Sequence, residues 1–408
     1  MGAGLKRNGT RAFAAATVVC AALAPAALAA VGGVSAAERD AAANGTGGAL
    51  AAVNRVATAS RQVRTPAAPV VRAAEGVLRA GAPGVTVAYR DARKPSLSWS
   101  VRRGVGDLAD GAPVPPAASF RIGSVTKTYL ATAVLGAVGE GRLALDDTLA
   151  RWLPGVLPRL DEGAITVRML LDHTSGVPDP TPSLLAHPKL FGKGAVTPAD
   201  LVAKARDLAP VAPPGKGFSY SNADYWLLAM ILERATGQSY TEQIEARVLR
   251  PLALTHTVLP SNATSLPRPF MHGYAPRPGK PPVEVTGFRS DWASSSGGIV
   301  STTADLARFD GALLGGRLLA PEELAAMKHG TRAPANPMGV SVYGLGLTEL
   351  RLPCGVTLYG NMGGLAGYTT WMQSTGDGSR QVVVAANTEE LPRVDRAIHK
   401  VVEAAFCG

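Results

Sequence analysis

Phe120-Arg-Ile-Gly-Ser-Val-Thr-Lys127 is the stretch from which the rest of this chain can be read. It leads into residues 124–139, whose Ala-rich apolar text predicts a buried helix. Ser124 and Lys127 stand three apart, which on a helix is one face, so hydroxyl and amine become neighbours. A lysine in water is almost fully protonated at neutral pH and makes a poor base. Burial and the positive end of a helix both disfavour its charged form, so this amine can become a proton acceptor. Taken alone, Ser-x-x-Lys arises by chance in most long chains, and the plainer reading is an N-cap serine with a surface lysine.

Two later stretches change that balance. Phe218-Ser-Tyr220-Ser-Asn222 follows the rigid Pro213-Pro214-Gly215 loop and leads into the apolar helical run 225–232. In extended backbone Tyr220 and Asn222 project to the same side. A phenol can relay a proton, and an amide can donate and accept toward a substrate amide. Tyr359-Gly-Asn361-Met-Gly363-Gly-Leu-Ala-Gly367-Tyr368 then places glycines inside a strand pattern, where a ligand or another backbone can approach closely. An acyl-transfer enzyme needs such an edge to aim a backbone N–H at an oxyanion.

In this order and spacing the three stretches resemble the signature of the penicillin-recognising serine enzymes, the class C β-lactamase and D-alanyl-D-alanine carboxypeptidase branch. Leu170-Leu-Asp-His-Thr-Ser-Gly176 and Ser294-Ser-Ser-Gly-Gly298 add to the likeness, which runs from about 69 to 405. The resemblance implies an α/β (α+β) fold, an antiparallel sheet flanked by helices with an inserted, mostly helical lobe. It implies Ser124 as nucleophile, Lys127 and Tyr220 as proton managers, and Asn222 on the substrate amide. Asn361, Gly363 and Gly364 would line the substrate, and the N–H groups of Ser124 and Gly364 would form the oxyanion hole. His173 is expected to be structural, steadying a loop beneath the helical lobe.

One departure bears on substrate. Where the family usually carries Lys or His followed by Thr or Ser, this chain has Asn361 and Met362, and Gly364 stands where a hydroxyl residue is common. Those groups help bind a free carboxylate, and each charge-assisted contact is worth about 1.5–3 kcal/mol. Arg351 is the nearest candidate in sequence for a replacement cation. Acyl transfer is thus a firmer expectation than carboxypeptidase specificity. The resemblance implies a secreted D-alanyl-D-alanine carboxypeptidase or related D-amino-acid peptidase, with an esterase or β-lactamase as the alternative and a non-catalytic cell-wall peptide-binding module as a third reading.

The remaining text sets the frame. The chain has 408 residues, 46% hydrophobic and 18% charged, with a net charge of +10. The Lys and Arg are scattered without interleaved aromatics, which disfavours a nucleic-acid groove. Lys6, Arg7 and Arg11 precede an apolar run, 12–23, and the small-residue site Ala27-Leu-Ala29, so residues 1–29 read as a signal peptide and export to the envelope or medium follows. Bulky Val19 argues against a lipid on Cys20. Residues 30–66 read as a flexible Ala-rich leader, and 67–408 as one domain with a sheet lobe (67–122 and 290–408) and a helical lobe (123–289). Val342–Thr348 alternates as a single strand. With Cys20 removed, Cys354 and Cys407 are expected to pair. No Gly-x-Ser-x-Gly elbow and no His-Glu-x-x-His occurs, so neither an α/β-hydrolase nor a zinc hydrolase is read, and no cofactor is expected. The expected partner is a small peptide, β-lactam or ester, met by a monomer.

Overall fold

The structure, a computed structural model, describes residues 66–186, 196–259, 265–289, 291–333, 339–389 and 391–408. Residues 1–29, read as a signal peptide, and all but the last residue of the expected leader lie outside the described residues. Among the described residues twelve strands follow in chain order: β1 (Gly84–Asp91), β2 (Trp99–Gly104), β3 (Phe120–Arg121), β4 (Tyr274–Arg277), β5 (Lys280–Glu284) and β6 (Val300–Ser301) come first. Then come β7 (Thr331–Arg332), β8 (Val340–Tyr343), β9 (Thr348–Arg351), β10 (Thr357–Leu365), β11 (Tyr368–Thr375) and β12 (Arg380–Ala386).

Eight of these make one antiparallel sheet in the order β2-β1-β12-β11-β10-β9-β8-β7, so the first strands of the domain pair with the last. The sheet is thus built from two segments distant in the chain. Side chains of a strand alternate between faces, and β12 shows it directly. Val383 and Ala385 enter one core, while Val382, Val384 and Ala386 enter the other. The second core is closed by helix Ala68–Arg79 and the C-terminal helix Pro392–Cys407 through Val70, Ala74, Val77, Val394, Ile398 and Val402. The first is shared with helix Thr303–Leu314 and the helical lobe.

Two local readings needed revision. The helix expected from 124 begins at Thr126, because Gly123–Val125 forms a tighter 3-10 turn, entered by Gly123 at φ +53°. The single strand expected over 342–348 is two, β8 and β9, separated by Gly344 and Gly346. A Cβ on Gly344 would lie 2.2 Å from the Met327 carbonyl oxygen, and one on Gly346 2.5 Å from Ala131 Cβ. The chain turns there to pass against its neighbours. The region read as a helical lobe also carries the β4–β5 hairpin. Cys354, in the β9–β10 turn, and Cys407 at the end of the last helix are joined, with Cα atoms 5.9 Å apart.

Candidate active site

Strand β3 pairs with β6, Phe120 opposite Ser301 and Arg121 opposite Val300, so the chain enters the Gly123–Val125 turn from a fixed direction. Helix Thr126–Gly139 then runs through the core, buried on nearly every side from Thr126 to Leu135. This is why Lys127 is inaccessible despite its charge. Burial brings its ammonium pKa down from 10.5 to about 7, against the opposing pull of Asp179 and Asp224.

Three acceptors surround the amine. Nζ lies 2.7 Å from Asn222 Oδ1, 2.8 Å from the Ser296 carbonyl and 3.3 Å from Ser124 Oγ. A neutral amine has two hydrogens and one lone pair. With the hydrogens given to Asn222 and Ser296, the lone pair faces the serine hydroxyl. Tyr220 donates its hydroxyl to Ser124 Oγ at 2.7 Å, and the Lys127 nitrogen sits 4.8 Å from the centre of the Tyr220 ring. Tyr220 and Asn222 do project together. Ser221, between them, is extended and caps helix Asn222–Thr236 by position, without a side-chain cap bond.

The glycine strand arrives from the opposite side. On β10, a Cβ at Gly363 would lie 2.2 Å from the Ile122 carbonyl oxygen and 2.5 Å from the Ser124 nitrogen. One at Gly123 would lie 2.7 Å from the Gly364 nitrogen. The two backbones therefore touch at Ser124, bringing the Ser124 and Gly364 amides together, and β9 covers β10 only over Thr357–Gly360. This geometry fits an oxyanion hole.

Asn361 is placed differently from the expectation of a substrate-lining side chain. It is buried, with Nδ2 3.0 Å from Thr128 Oγ1 and 3.2 Å from the Gly346 carbonyl, while Oδ1 accepts from the Met362 N–H at 2.8 Å. Its polar atoms fasten β10 to helix Thr126–Gly139. Arg351 stands opposite Thr357, six residues down the strand from Gly363, roughly 20 Å at about 3.3 Å per residue. It pairs with Glu349 at 3.0 Å in solvent and is no replacement for the missing cation.

His173 turns out to be more than a loop support. Fully buried at φ +59°, it lies 4.3 Å ring to ring beneath Tyr220, and Nδ1 is 2.7 Å from Asp224 Oδ2. Ser175 donates to the other Asp224 oxygen at 2.6 Å. Burial holds the imidazole well below its usual pKa and pushes the Asp224 carboxyl well above its own, so the pair favours neutral forms. Asp179, Thr181, Asp224 and Ser296 were not singled out from the sequence. Asp179 lies between two prolines and reads as a turn residue, and Ser296 acts through a carbonyl, which no side-chain pattern betrays.

Comparison with known proteins agrees with this architecture. Residues 54–406 match the family described as Beta-lactamase. A D-stereospecific amidohydrolase from Streptomyces sp. superposes with a TM-score of 0.74 at 34% identity, covering 84% of this chain and 98% of that one. Penicillin-binding protein 4* of Bacillus subtilis (strain 168) is 28% identical over 321 residues, 75% of this chain and 68% of its own. Esterase EstB of Burkholderia gladioli is 35% identical over 181 residues, 40% of this chain and 44% of the esterase. The serine–lysine–tyrosine centre, its lysine buried, and the match across most of the chain lead to one conclusion: this protein belongs to the β-lactamase family of serine hydrolases.

Proposed function

We propose that this protein hydrolyses amide bonds of D-amino-acid derivatives through an acyl-enzyme on Ser124, without recognising a free carboxylate on the leaving side. The observation that carries this is the inward-turned Asn361 amide, bonded to Thr128 and Gly346 where a carboxylate-binding cation would be needed. Likeness to the amidohydrolase over nearly its whole length supports the same choice over a carboxypeptidase.

The proposed reaction runs through an acyl-enzyme in two halves. The Ser124 proton passes to the Lys127 lone pair as Oγ bonds to the carbonyl carbon. The N–H groups of Ser124 and Gly364 receive the oxyanion. The C–N bond then breaks, and the Lys127 proton reaches the departing nitrogen through the Tyr220 hydroxyl. Water hydrolyses the ester by the reverse route. A burial-depressed amine at about 7 suits this work, since a general base performs best near the operating pH. An esterase is the second reading, favoured by the likeness to Esterase EstB and by the same lack of a cation.

A single experiment tests both. The protein is incubated with D- and L-amino-acid amides, a D-alanyl-D-alanine peptide and an activated ester, and trapped adducts are mapped by mass spectrometry. Turnover of D-amides with an acyl group on Ser124, absent in Ser124→Ala, is expected. Turnover of the peptide in preference to the amides would overturn the carboxylate argument, and ester turnover alone would favour the second reading.

A further inference from the structure

Both ends of the Asn222 amide are committed inside the protein. Oδ1 accepts from Lys127 at 2.7 Å. Nδ2 lies 3.2 Å from Asp179 Oδ2 and 3.1 Å from Thr181 Oγ1, and an amide nitrogen has two hydrogens to give. The Thr181 hydroxyl passes its own hydrogen to Asp179 Oδ1 at 2.6 Å, and the Thr181 N–H reaches the same oxygen at 3.0 Å. Both Asn222 hydrogens therefore end on one carboxyl group, the first directly and the second through a hydroxyl. That group offers only acceptors when ionised, so the circuit allows one amide orientation: nitrogen toward Asp179, oxygen toward Lys127.

We propose that Asp179 is a positioning residue for the reaction, which through Asn222 and Thr181 aims the Lys127 amine at Ser124 and supplies negative field around it. The proposal rests on Lys127 acting as base at Ser124. It also revises the part expected of Asn222. With both hydrogens spent on Asp179 and Thr181, this amide works inward on the lysine rather than outward on a substrate amide.

Among the described residues, the groups around the amine are few. They are the Ser124 and Tyr220 hydroxyls, the Asn222 amide, the Ser296 carbonyl, the Tyr225 ring at 5.4 Å, and the ionisable Asp179, Asp224 and His173. Asp179 exerts the larger of the two attractions that oppose burial of the ammonium, and Asp224 is itself driven toward its neutral form. Asp179→Asn removes that attraction and changes one acceptor into a donor. Whichever way the new amide turns, a donor meets either the Asn222 nitrogen or the Thr181 N–H.

The test reads the rate of Ser124 labelling by a fluorophosphonate probe between pH 5 and 9, which requires no natural substrate. Wild type, Asp179→Asn and Thr181→Val are compared, with thermal melts to check folding. Asp179→Asn should label roughly 10- to 100-fold more slowly on the alkaline plateau, the scale of a misplaced catalytic group. Its acid limb should move to lower pH, because losing the opposing charge lets burial depress the lysine further. Thr181→Val, which keeps the charge, should slow labelling less and leave the acid limb in place. An Asp179→Asn acid limb coincident with wild type, a shift to higher pH, or a wild-type rate in Thr181→Val would overturn the proposal. Should Asp179→Asn fail to fold, the Thr181→Val rate still decides the orienting role. Failure of the D-amide reading is separable, since it would show as absent D-amide turnover while Ser124 labelling and its pH profile persist.

Discussion

At the scale of single residues, the proposed chemistry depends on an amine that the fold keeps from being an ordinary lysine. Lys127 is fully buried, and its partners are a carbonyl, an amide and a hydroxyl rather than a carboxylate in contact. Desolvation is the dominant influence, so the neutral form is present above about pH 7 and lost as pH falls through it. We predict an acid limb near that pH in kcat/KM for amide hydrolysis. Lys127→Ala should lower kcat by about 10²–10⁴-fold, the usual contribution of a positioned base, while KM changes little. A pH profile flat from 5 to 8, or a loss confined to KM, would rule out this role. Tyr220 is held differently, by its bond to Ser124 and by the His173 ring, tilted 42° against its own at 4.3 Å. His173→Ala removes both the platform and the partner of buried Asp224, and should cost about 1–3 kcal/mol of stability by chemical denaturation. Unchanged stability would show that the Asp224 contact contributes nothing.

At the scale of elements, the site is a meeting of one turn and one strand. The Gly123–Val125 turn and β10 approach so closely that no side chain fits at Gly363. A methyl group there would push the strand from Ser124, because the atoms it meets are backbone and cannot swing aside. Gly363→Ala should therefore slow Ser124 acylation at least 10-fold and cost about 1–3 kcal/mol, the usual range for overpacking. Labelling at the wild-type rate would mean that β10 does not complete the site. The glycine density of this strand was visible in the sequence and correctly marked a close approach. The side-chain direction of Asn361 was not, since it depends on how β10 faces helix Thr126–Gly139 once both are packed. The split of Val342–Thr348 into β8 and β9 has a similar cause. Alternation was present in the text, but Gly344 and Gly346 turn where Met327 and Ala131 press on them.

At the scale of the whole molecule, the sheet joins the two ends of the domain and the disulfide reinforces the same union. Cys354 and Cys407 are 53 residues apart, and a cross-link of that kind typically adds about 2–4 kcal/mol by restricting the unfolded chain. Reduction, or Cys407→Ser, should lower the thermal midpoint while leaving Ser124 labelling at moderate temperature unchanged, because the bond lies on the core opposite the site. Equal midpoints with and without reductant would show that the bond does not contribute.

The sequence by itself determined which residues carry the proposed chemistry. Ser124, Lys127, Tyr220 and the Gly363–Gly364 pair are legible because local rules tie spacing to geometry: three residues to a helix face, two to a strand face, glycine to close approach. Only the tertiary structure decided what surrounds that chemistry. The ring from Asn222 through Thr181 to Asp179, the carbonyl of Ser296, the His173–Asp224 pair under Tyr220 and the inward turn of Asn361 join residues up to 233 positions apart. Such contacts arise from how packed layers face one another, and no periodicity along a single segment encodes them.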